Sequence, residues 1–144
     1  MRVFVDTSFL IPAFVEEHPN HQRTLPWIRK ILRKNVVAGL SSHSIAEVYS
    51  VLTTIPVLPR ISPSAANQMI SKNLLSRFNI IELTSDDYCQ AIRLAGERGL
   101  TGGVIFDVLI GIGFERFNAD MLLTFNIRDF IRIFPDRENC IQSP

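Results

Sequence analysis

Four short apolar runs, "RVFV" at 2–5, "VVAGL" at 36–40, "FNIIEL" at 78–83 and "DMLLTF" at 120–125, alternate with longer stretches whose apolar residues recur at helical spacing. The runs are rich in β-branched and aromatic residues and are continuously apolar, as strands buried on both faces must be. Strands alternating with helices pair in parallel through right-handed crossovers, with helices covering both faces of the sheet. This restricts the chain to the α/β class, in which ligands bind at the carboxyl ends of the strands.

Helices are expected over 9–17, 20–34, 43–54, 63–76, 85–98, 103–118 and 127–133. "PVLPRISP" at 56–63 separates the third from the fourth, because its three prolines cannot continue a helix interior. No repeat, low-complexity tract or linker interrupts the 144 residues, so one domain over 1–144 is expected. At 47% hydrophobic and 20% charged residues the composition is that of a soluble globular protein. A net charge of +1 excludes a whole-molecule field for polyanions, so any attraction for phosphate must come from local patches. Cys89 and Cys140 lack C-x-x-C spacing, which points away from a zinc cluster or a dithiol redox pair. The amino terminus enters a strand without a basic leader, and no apolar stretch is of spanning length; a cytoplasmic protein without membrane attachment is expected.

Three carboxylates interrupt otherwise core-like segments: Asp6 in "VFVDTSFLI", Glu47 in "SIAEVYSVL" and Asp107 in "GGVIFDVLIGIGF". A buried carboxylate is costly unless paired, hydrogen-bonded or bound to metal, and these flanks supply no partner. Asp6 has the alternative role of helix N-cap. Glu47 follows Ser44 by three, the spacing of a capping box, although Ser41 and Ser42 compete as the cap. Asp107 lies one turn inside its helix and escapes that explanation. Gly103 and Gly111 sit four residues to either side of it, either clearing room for something to approach or packing the helix tightly. In "LLTFNIRDF" a strand ends at Thr124, and Asn126 is placed to cap the next helix with Asp129 one turn inside.

"VDTS", "AEVYSVLT", "GGVIFDVLI" and "LLTFNIRDF", in this order and spacing, resemble the signature segments of the PIN domain, and more narrowly the toxin nucleases of VapBC-type toxin–antitoxin pairs. The resemblance implies a three-layer α/β/α sandwich around a mostly parallel sheet of four or five strands. It implies a ribonuclease dependent on Mg²⁺ or Mn²⁺, usually a homodimer, with Asp6, Glu47 and Asp107 holding the metal. Asn126 falls where the family has a fourth acidic residue, with Asp129 nearby. Thr7, Ser8 and Thr124 match hydroxyl positions that support the cluster or touch phosphate. The family also implies an antitoxin protein whose tail blocks the acidic groove, with "VLTTIPVLP" as a candidate contact surface.

The residue types suit that chemistry. Mg²⁺ takes oxygen ligands and keeps several waters, so a few carboxylates at one crevice suffice. Like charges about 5 Å apart repel by roughly 3 kcal/mol at an effective dielectric of 20, so three clustered carboxylates call for counter-charge. RNA would be held by basic residues among Arg23, Arg29, Lys30, Arg33, Lys34, Arg60, Arg128 and Arg132, with Arg128 and Arg132 favoured because they lie four apart beyond the "LLTF" strand. Trp27 is placed to stack a base or to join the core, and the three histidines are assigned no catalytic role. Two rival readings follow from the same residues: a PIN-like protein-binding module without catalysis, and a nuclease acting on DNA.

Overall fold

The structure is a computed structural model describing all residues, Met1–Pro144. Five parallel strands, β1 (Arg2–Val5), β2 (Val37–Ser41), β3 (Asn79–Ile81), β4 (Met121–Leu123) and β5 (Ile141–Gln142), form one sheet in the order β3-β2-β1-β4-β5. Helices α1 (Thr7–Phe14), α2 (His21–Leu32), α3 (Ser42–Thr54), α4 (Pro63–Met69), α5 (Ser85–Glu97), α6 (Val104–Arg116) and α7 (Ile127–Ile133) flank it.

The alternation of side chains along β1 builds the two cores. Val3 and Val5 point to one face, where they join Phe9 and Leu10 of α1, Ile31 of α2, Val48 and Leu52 of α3 and Ala66 of α4. Phe4 points to the other, against Ile110 and Phe114 of α6, Phe117, and Phe130 of α7. The three-layer sandwich is thus set by one residue in every two of a four-residue strand. Close approach of α6 to the sheet requires Gly113, where a Cβ would lie 2.8 Å from Phe4 Cζ.

Each expected helix is present to within two residues, except that the first runs over Thr7–Phe14 and ends three residues early, and the fourth ends at Met69 and continues as a π-helical turn, Ile70–Leu75. Two elements escaped the sequence reading: a 3₁₀ segment, Pro135–Cys140, and the two-residue β5. A strand that short has no periodicity to detect. Gly111 does not clear a path to Asp107: a Cβ there would sit 1.9 Å from the Phe134 ring, so this glycine seats an aromatic. Gly103 meets nothing nearer than Phe106 at 4.0 Å. No helix is long and apolar enough to cross a membrane.

Candidate active site

The chain leaves β1 toward β2 and β3 on one side, and returns through β4 on the other. β1 and β4 pair at Val5 and Leu123, and their carboxyl ends therefore form the switch point where a parallel sheet opens a crevice. Asp6 follows β1 there, its backbone N–H donating to Leu123 O at 3.1 Å. It occupies the N-cap position of α1 without a capping hydrogen bond from its side chain. Its Oδ2 instead accepts from Ser8 Oγ at 2.5 Å and Thr124 Oγ1 at 2.8 Å. Asp6 is only 2% exposed. Burial pushes its carboxyl above the usual range, and the two hydroxyls offset part of that effect.

Glu47 is not part of a capping box. Ser41 caps α3 by accepting the Ser44 N–H at 3.3 Å, which leaves the Glu47 carboxylate free to accept from Thr7 Oγ1 at 2.8 Å. The capping box of this fold lies instead at Thr84 and Asp87, at the start of α5. Burial raises Glu47 as well, and the charge of Asp6 adds to the rise while Thr7 and His43 oppose it.

Asp107 projects from the first turn of α6. Its carboxyl is pushed up to about 7, first by burial and then by the negative charges of Asp6, Asp129 and Glu47. Four carboxylates from β1, α3, α6 and α7 therefore act on one crevice. They do not form a closed cage: no three His, Cys, Asp or Glu side chains are grouped so as to hold an ion by themselves.

Asn126 stands at the N-cap of α7 but makes no side-chain cap bond; its backbone N–H donates to Thr124 Oγ1 at 2.9 Å. The fourth negative charge felt at the crevice comes from Asp129, one turn further on. Arg128 is exposed beside it. The expected basic patch divides. Arg23, at the start of α2, lies 4.8 Å over the ring of Phe125 near the crevice. Arg33 and Lys34 follow the far end of α2 and lead into the first residue of β2, which places them at the amino edge of the sheet, away from Asp6. Trp27 packs half-buried against the core, with Lys30 Nζ 4.2 Å over its ring.

His43 belongs to the site although the sequence reading gave it no role. Its Nε2 is buried without a hydrogen-bond partner, 3.9 Å from Glu47 Oε1, and its ring stacks on Phe106 at 4.9 Å, 15° from parallel. The signal was present as the i, i+4 spacing from His43 to Glu47 and the adjacency of Phe106 to Asp107.

A parallel sheet with carboxylates near the switch point at its carboxyl edge places this chain in the α/β class. The chain matches the family model described as "PIN domain" over residues 3–133, and it belongs to that family. It is 27% identical to Ribonuclease VapC27 of Mycobacterium tuberculosis over 117 residues, 81% of this chain and 80% of that one. It is 29% identical to Ribonuclease VapC40 of the same species over 117 residues, 81% of each chain. Among solved structures it is similar to M. tuberculosis VapC20, described as a sarcin–ricin loop cleaving toxin, with a TM-score of 0.70, 17% identity, and coverage of 88% of this chain and 92% of that one. It is also similar to VapBC2 of Rickettsia felis bound to a promoter DNA fragment, with a TM-score of 0.66 and 22% identity over 100% of this chain and 99% of that one.

Proposed function

We propose that this protein is a metal-dependent endoribonuclease, the toxin of a toxin–antitoxin pair. What supports the reading is that the charges of Asp6, Glu47 and Asp129 all bear on the Asp107 carboxyl, from elements that meet at the carboxyl edge of the sheet. The ribonucleases VapC27 and VapC40, to which the chain is similar, support the ribonuclease activity, and the VapBC neighbour supports an antitoxin partner.

The donor set fits Mg²⁺, with Mn²⁺ as its substitute: the ligands would be Asp6, Asp107 and Glu47, all hard oxygen donors, and a carboxyl pushed up to about 7 marks a site short of positive charge. When bound, such an ion supplies Lewis-acid charge that eases ionisation of water and offsets charge on the phosphate. The chain's own groups do the positioning. Ser8 and Thr124 fix the Asp6 carboxylate through hydroxyl donors, and Thr7 holds Glu47 by Oε2. That leaves Glu47 Oε1 to accept the proton of the attacking water. Arg128 is available to a flanking phosphate, and Asn126 reaches solvent at the mouth of the crevice. Assembly as a homodimer is part of this reading.

The test is cleavage of purified RNA with Mg²⁺, with Mn²⁺ and with EDTA, by the wild type and by Asp6→Asn and Asp107→Asn. Cleavage that needs the ion and is lost in both folded variants is expected. Cleavage that survives EDTA, or variants that remain fully active, would overturn the proposal.

A further inference from the structure

Asn20 occupies the N-cap position of α2, the place where this residue type normally bonds the first turn, yet its side chain makes no capping hydrogen bond. It lines a groove of about 310 Å³ that also takes in Thr7, Ser8, His18, Ile55 and Phe125. We propose that this groove binds one nucleobase of single-stranded RNA, that of a nucleotide adjacent to the scissile phosphate. The proposal rests on the nuclease reading above and adds the part of the site that reads sequence.

Continuity with the acidic crevice is the first argument. Thr7 and Ser8 form the shared wall, since their hydroxyls hold Glu47 and Asp6 while the residues themselves line the groove. Val51 follows Glu47 at i+4 on α3 and Ile55 is the C-cap of the same helix, so the apolar floor continues from Glu47 along that helix, about 6 Å further down its axis at Val51. A base flanking the cut would lie along that path.

The lining chemistry is the second argument. Phe125 lines the groove with an aromatic side chain, the residue type that packs on an unstacked base, and its backbone is tied to the site by its N–H donating to Ser8 Oγ at 2.9 Å. Arg23 backs that ring and is itself held by Ser143 Oγ and the Pro144 carbonyl. His18 Nδ1 accepts the Asn20 N–H at 3.1 Å, which assigns the proton of the neutral ring to Nε2 and makes that atom a donor. The Asn20 amide adds a donor and an acceptor in one plane, the pair that reads a base edge. A purely apolar peptide side chain would leave these polar groups unmatched.

Two measurements test the proposal. The first is kcat/KM for RNAs that differ only in the base next to the cut. Asn20→Ala should flatten the base preference by about tenfold, chiefly through KM. Phe125→Leu should weaken all four bases by about tenfold while keeping their ranking. The second is an NMR titration of the wild type with AMP, GMP, CMP and UMP, expected to shift Asn20, His18 and Phe125 in a base-dependent manner. A wild type that cleaves RNA while Asn20→Ala keeps its preference, or loses every base in parallel, overturns the subsite and leaves the nuclease standing. A wild type that cleaves no RNA sinks the nuclease reading, and the titration then decides the groove alone: no nucleotide shifts, or shifts only with a partner peptide, overturn it.

Discussion

Asp107 carries the clearest pH signature in the molecule. Its folded-state carboxyl titrates near 7, above its ordinary 3.8, so in the absence of metal the folded chain holds a proton that the unfolded chain has released between those values. Its contribution to stability is therefore intact in acid and is lost as pH rises from about 4 through 7. Asp107→Asn removes that penalty. Allowing for its partial exposure, the variant should be more stable than the wild type by about 1–2 kcal/mol at pH 8 without metal, and the gap should close near pH 4. Denaturant unfolding in EDTA at the two pH values measures it. Asp107 stood out in the sequence because a carboxylate one turn inside an apolar helix has no local explanation, and Asp6 stood out against its apolar flanks although a cap role competed. Glu47 was half-legible, since a serine three residues upstream offered a competing local one. Asp129 was legible only as a companion of Asn126, and His43 was given no role: it sits in an ordinary helical context, and what gives it meaning is Phe106 from another element.

Between elements, single atoms set the spacing. Thr124 at the end of β4 is fully buried and donates to Asp6 after β1, so it joins the two strands across the crevice. Thr124→Val keeps the shape and removes the donor; it should destabilise the protein by about 1–3 kcal/mol at neutral pH and reduce cleavage, as chemical denaturation and an RNA assay would read. The helix pair α6 and α7 meets differently, through Gly111 and the Phe134 ring that follows α7. Gly111→Ala should destabilise by about 2–4 kcal/mol, with part of the loss recovered in Gly111→Ala combined with Phe134→Leu. Helix positions were legible from apolar periodicity to within two residues over most of the chain. The reason for Gly111 was not, because a glycine four residues from a carboxylate looks alike in sequence whether a ligand or a phenyl ring fills the space.

For the whole molecule, the acidic crevice links folding to ion concentration. An ion bound only by the folded chain adds about 2.7 kcal/mol of stability at a hundredfold excess over its Kd. Mn²⁺ should thus raise the Tm of the wild type more at pH 8 than at pH 5, where Asp107 is protonated, and should leave Asp6→Asn nearly unmoved in a calorimetric scan. Sheet class and layer order were readable from continuous apolar runs, but the strand order was not. It follows from which crossovers pack, a property of the folded surfaces and not of any one segment.

The order β3-β2-β1-β4-β5 places the earliest-made strand at the centre of the sheet. β1 must wait for a neighbour that begins at Met121, and the hydroxyl that steadies Asp6 belongs to Thr124. A polypeptide halted on the ribosome anywhere before that point lacks both. An interrupted product would therefore be released without the strand pairing and the hydroxyl that shape the acidic crevice, which only chains synthesised almost to completion possess.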